Sequence, residues 1–158
     1  MRVQFASNLT YTGRVDRHVN KLVNRCIRKN LCKAVLNRLK GGNISDSKIY
    51  KMIYEYGRTL KGELAEYMSK VHDDIFVTIV KKDQEKYLAL KSKGSDKNFY
   101  IKEDAINHIS DNPENCLGCI SKQDDADTVL EKILFFNDAL RSISPERLLC
   151  KLKSLANK

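Results

Sequence analysis

The apolar residues of this chain change their spacing twice, and that restricts the folds open to it. From about residue 14 to residue 72 they recur at three- and four-residue steps, the pattern of a buried helix face. Val15, Val19, Leu22, Val23 and Cys26 form a first stripe. Near Asn30 the phase jumps to Ile27, Leu31, Ala34 and Leu39. That predicts two helices, 14–29 and 31–40, or one sharply bent helix, ended by Gly41-Gly42. Another helix, capped by Ser45 or Asp46, carries Ile49, Met52, Ile53, Tyr56, Leu60, Leu64, Tyr67 and Val71. Gly57 and Gly62 lie inside it, each costing up to about 1 kcal/mol relative to alanine, which leaves room for a kink or break there.

The period then becomes two. The run from Asp74 to Val80 is β-branched and aromatic, as strands prefer. Lys82-Asp83-Gln84-Glu85 reads as a turn, and residues 86–91 as the second strand of a hairpin. Lys93-Gly94-Ser95-Asp96 is a further turn, and Asn98-Phe99-Tyr100-Ile101 a third strand. Three antiparallel strands need a helix on one face, and residues 103–109 are the candidate for it. After a loop around Pro113, helical spacing returns at about 125–141, and Ser144-Pro145-Glu146 opens a last helix bearing Leu148, Leu149, Leu152 and Leu155. Residues 1–12 alternate weakly and suit a short strand or an extended arm.

This order predicts an α+β fold: N-terminal basic helices, a small three-stranded antiparallel sheet in the middle, and C-terminal helices. It divides the chain into a basic helical lobe, residues 1–72, and a second part, 73–158, that holds the sheet, an acidic linker and the C-terminal helices. Hydrophobic residues are 42% of the 158, enough for a real core. No apolar run approaches the roughly 18–20 residues needed to span a bilayer, and the first residues lack the apolar centre of a signal peptide. Five cysteines, an odd number, suit free thiols in a reducing cytosol. The expectation is an intracellular, cytoplasmic protein.

Charge is unevenly placed. The net charge is +9, and residues 1–42 alone account for it, with ten cations and one acid, Asp16. The remaining residues hold 19 basic and 19 acidic side chains. Within them, residues 81–102 are lysine-rich and residues 103–138 are acidic, which suits one face for a polyanion and another turned away from it. Solvated helix faces usually interleave acids with bases, and residues 14–40 do not. Arg14, Arg17, Lys21, Arg25, Arg28, Lys29, Lys33, Arg38 and Lys40 are therefore the candidate nucleic-acid contacts. A row of such cations can neutralise several phosphates at once, and arginine bonds phosphate or guanine edges in bidentate fashion. The order of helices over 14–72 can also accommodate a helix-turn-helix-like unit.

A second candidate contact is the lysine-rich sheet, where Lys82, Lys86, Lys91, Lys93 and Tyr100 interleave charge with aromatic surface. Cys116-Leu117-Gly118-Cys119 has the spacing of half a zinc site but lacks a second paired motif, so no metal and no cofactor is expected. No Walker-type or GxGxxG loop is present. Asp73, Asp74, Asp83, Glu85 and Lys86 loosely suggest a metal-dependent nuclease, although acids in turns are usually just solvated.

The reading is a non-enzymatic DNA-binding protein, a small transcriptional regulator or repressor of the compact kind found in viruses and mobile elements. Its partner is double-stranded DNA, with no membrane, and a homodimer is compatible with it. The alternatives are an interaction protein that binds an acidic protein partner, and an RNA-binding protein that uses the lysine and aromatic sheet.

Overall fold

The computed structural model describes residues 14–39, 45–71, 75–93, 95–104 and 108–157. The extended arm expected at residues 1–12 lies outside them. The fold is α+β. In chain order the elements are β1 (Arg14–Val15), α1 (Arg17–Leu39), α2 (Asp46–Met68), β2 (Ile75–Lys82), β3 (Glu85–Ser92), β4 (Asn98–Ile101), β5 (Ile109–Ser110), β6 (Cys119–Ile120), α3 (Ala126–Arg141) and α4 (Pro145–Ala156). Among the described residues no helix is long and apolar enough to cross a membrane.

Among the described residues the sheet has six strands, not the expected three. The expected strands form its centre, β2, β3 and β4, in antiparallel order. Three two-residue strands extend it: β1 joins β2 in parallel, β5 joins β4, and β6 pairs with β3 beside the hairpin tip. Segments this short have no readable period, so only their partners define them. β5 also replaces part of the helix expected at 103–109. Ile109 sits opposite Ile101 and both are buried, which draws the chain into the sheet; residues 105–107 lie outside the described residues.

The first helix is one continuous element, Arg17–Leu39, with no break at Asn30. Val19, Leu22, Val23 and Cys26 enter the main core and Ile27 packs against it beside Gly57 of α2, whereas the side chains of Leu31, Ala34 and Leu39 lie outside the described residues. A β-carbon on Gly57 would overlap Ile27 Cδ1, the far end of that side chain, which would have to move aside. α2 runs unbroken through Gly57 and Gly62. The helix start expected at residue 14 moves to Arg17, because Arg14 and Val15 pair with Phe76 and Val77.

The two C-terminal helices open where their sequence signals lie. Asp125 accepts from the Thr128 amide at 2.8 Å, and Ser144 accepts from the Arg147 amide at 3.2 Å, with Pro145 in the first turn. One hydrophobic cluster joins α1, α2, the inner face of the sheet, α3 and α4, with Phe99, Phe136, Met68 and Leu148 at its centre.

The hairpin turn between β2 and β3 has positive φ at both central residues, 58° at Asp83 and 85° at Gln84. This is the backbone that matches the twist of a two-residue hairpin, and it favours glycine at the second position. Gln84→Gly should therefore raise stability by about 1 kcal/mol, after the entropy that glycine adds to the unfolded chain. Chemical denaturation of wild type and variant checks this.

Candidate nucleic-acid interface

The interface is built on α1, and the single acid of its segment holds that helix in place. Asp16 follows β1 and caps α1, accepting the His18 amide at 3.0 Å and the Thr78 hydroxyl at 3.1 Å. Its own amide donates to Val77 in β2 at 2.8 Å. The strand-to-helix corner thus fixes where α1 leaves the sheet.

Burial pushes the Asp16 carboxyl up, but the His18 and Thr78 hydrogen bonds, with the His18 and Arg17 charges, outweigh it and hold the carboxyl below its ordinary value of 3.8. A depressed carboxyl contributes stability above its unfolded pKa and loses it as pH falls through the folded one. Asp16→Ala should cost about 1 kcal/mol at neutral pH, and the gap to wild type should close below about pH 4 as the native carboxyl becomes protonated. Urea melts at several pH values check both.

Arg14, Arg17, Lys21, Arg25, Arg28, Lys29 and Lys33 are all exposed. The fold sorts them into groups. Lys21, Arg25 and Arg28 line a groove of about 680 Å³ between α1 and α2. From the other wall α2 adds Arg58, Lys61 and Tyr54, whose ring is 69% exposed. Lys61 donates to Asn24 across the groove at 2.8 Å. Among the described residues no carboxylate lines it. Arg58, Lys61 and Tyr54 are absent from the sequence-derived set, because charge density along the chain singles out α1 alone. The helical phase of α2 was the available signal: Tyr54, Arg58 and Lys61 recur at four- and three-residue steps on one side.

On the other side of α1, Arg25 and Lys29 face the β2–β3 hairpin and the chain leading into α3. Together with Lys81, Lys86 and Lys122 they line a second groove of about 460 Å³. Its floor is apolar, from Leu22, Cys26, Ile120 and Val129. Two carboxylates also reach it, and both are engaged. Asp124 bonds Lys132 at 2.6 Å and the Ser121 amide at 2.8 Å, while Asp125 caps α3.

Other sequence-predicted residues are not brought to these grooves. Arg14 and Arg17 flank a separate hollow beside His18 and Phe76. Lys33 pairs with Asp127 at the start of α3, at 2.7 Å, so part of the acidic region lies against the basic helix instead of facing away from it. The Arg38 side chain and Lys40 lie outside the described residues. In the sheet, strand alternation puts Lys82 and Lys91 on the face away from the helices, and Lys93 follows the far end of β3. Tyr100 is only 4% exposed, packed edge-on against Tyr87 with centroids 5.9 Å apart, and offers no free ring face to a base. The turn near Asn30 that the first half of a helix-turn-helix unit would use is replaced by helix.

The Cys116–Cys119 segment is a piece of sheet packing. Cys116 is buried against Ala89 and Tyr100, and the Cys119 thiol donates to Glu85, which also accepts from Tyr87. Burial, then the Glu85 contact, push the Cys119 thiol up to about 11, and burial raises Cys116. Both shifts favour the neutral thiol over the thiolate that a nucleophile needs. Among the described residues no three His, Cys, Asp or Glu side chains are grouped to hold a metal ion. Asp73 and Asp74 of the nuclease alternative lie outside the described residues.

Gly118, between these cysteines, packs too closely on Leu88 to carry a side chain. A β-carbon there would meet Leu88 Cβ at 2.6 Å and the Leu88 carbonyl oxygen at 3.0 Å, where the Gly118 carbonyl accepts the Leu88 amide. Gly118→Ala should cost about 1–3 kcal/mol through overpacking against backbone, read as a lower midpoint in thermal unfolding.

Compared with protein-family models, curated proteins and solved structures, the chain matches none of them.

Proposed function

We propose that this α+β protein binds double-stranded DNA without acting on it chemically, in the manner of a small transcriptional regulator. The observation that carries the reading is the α1–α2 groove. Five cations, Lys21, Arg25, Arg28, Arg58 and Lys61, converge on it from two helices, with no acid among the described residues that line it. Gathering like charge has a cost in the folded protein that a polyanion relieves. Among the described residues Lys21, Arg25, Arg28 and Arg58 form no ion pair, so their charge is available to phosphate. Exposed Tyr54 adds a flat surface at the rim that can stack on a sugar or base. The test is fluorescence anisotropy with a labelled mixed-sequence duplex over a range of salt. Steep salt-dependent binding supports the reading, and absence of binding at low salt sinks it. Competition by an acidic polypeptide but not by DNA would assign the groove to a protein partner.

A further inference from the structure

We infer that the protein straddles the duplex: α1 enters the major groove, and the grooves on its two sides receive the two sugar-phosphate backbones. This rests on the DNA-binding reading above and goes beyond it, because it assigns a second phosphate site, made by Lys81, Lys86 and Lys122, together with a reading ridge.

The shape carries the first part of the argument. α1 lies as a ridge between two basic grooves, and Arg25 lines both of them. With the core side chains Val19, Val23 and Cys26 pointing inward, a 100° step per residue puts Arg17, Lys21, Asn24 and Arg28 outward along the crest. An α-helix with its side chains is about 10–12 Å across, and the major groove of B-DNA is about 12 Å wide. In duplex DNA the groove is bordered by two phosphate ridges. A protein ridge bordered by two cationic grooves is its complement.

The hairpin carries the second part. Lys81 and Lys86 are direct cross-strand partners on the face that looks toward α1. Like charges directly opposite each other destabilise a strand pair, and here Arg25, Lys29 and Lys122 add to the same side. None of these five forms an ion pair among the described residues. A single strand could be held by the α1–α2 groove alone. Only a double-stranded ligand uses both grooves.

The crest then has distinct roles. Arg17 and Lys21 present donors suited to guanine O6 and N7, and the Asn24 Nδ2 a donor suited to a purine N7. Lys61 holds the Asn24 oxygen, which orients that amide.

The experiment compares wild type, Lys81→Ala/Lys86→Ala/Lys122→Ala and Arg58→Ala/Lys61→Ala on a labelled duplex and on one of its single strands. On duplex the first variant should lose about 2.7 units of the slope of log affinity against log salt, and the second about 1.8. The two losses should add when the variants are combined, and the first variant should bind the single strand as wild type does. Lys81→Glu provides a check that no folding defect can mimic. It should raise the unfolding midpoint by pairing with Lys86, and at the same time weaken duplex binding. In a dimethyl sulfate footprint, guanine N7 in the major groove should be protected and adenine N3 in the minor groove left reactive. If the hairpin variant keeps the wild-type slope on duplex, or if adenine N3 is the protected atom, straddling is overturned while the α1–α2 groove keeps its reading. If wild type binds no duplex at all, both fall.

Discussion

Replacing Arg25, Arg28 and Arg58 together by alanine should flatten the salt dependence of duplex binding by about 2.7 units of slope. Each phosphate contact releases condensed counterions and contributes about −0.9 to the slope of log affinity against log salt. A fourfold rise in salt would then weaken wild type by about 40-fold more than the variant. These three residues come from both walls of the groove and are exposed, so their removal leaves the core intact. Far-UV circular dichroism and the unfolding midpoint should match wild type. Arg25→Lys/Arg28→Lys/Arg58→Lys separates charge from geometry. It should keep the slope and lose affinity, because lysine neutralises phosphate but cannot make the bidentate bond. Equal binding by wild type and the alanine variant would remove the groove from the contact surface.

The largest expected loss of stability comes from Phe136→Ala, at about 3–5 kcal/mol. Phe136 is 1% exposed and sits where α3 packs under α1, α2 and β4. Truncation removes its burial and leaves a cavity that helices fixed at both ends cannot fully close. Against a typical total of about 5–15 kcal/mol, this places the protein near its unfolding threshold. Its neighbour makes the control. Phe135 is 57% exposed, and Phe135→Ala should change stability by no more than about 0.5 kcal/mol. Urea denaturation of the two variants measures the difference. Because α3 supports the helix that forms both grooves, Phe136→Ala should also lose DNA affinity when its unfolded fraction rises. Added duplex should then restore its apparent stability by mass action.

The elements read from the sequence most closely were those whose signals are local. Ser144-Pro145-Glu146 marked the start of α4, because capping depends on a few adjacent residues. The central strands and the Asp83-Gln84 turn followed from period and turn chemistry. Three features were not legible from local signals. β1, β5 and β6 exist only through the strands beside them, and two residues carry no period. The continuity of α1 past Asn30 was hidden because a shift in apolar phase does not by itself tell a continuous helix from a broken one. The fate of Tyr100 depended on Tyr87 and Cys116, which enclose it from other segments.

The candidate interface divides along the same line. The amino-acid sequence by itself determined that the charge excess falls in residues 1–42 and that Lys21, Arg25 and Arg28 lie opposite the apolar stripe of the helix they share, since a 100° step leaves no other arrangement. Only the tertiary structure decided which of those cations meet others. It set Arg58 and Lys61 across one groove and Lys81, Lys86 and Lys122 across another, and it gave Lys33 to Asp127. The physical reason is that helical phase acts within one element over a few residues, whereas a charged groove is made by packing, which joins residues far apart in the chain.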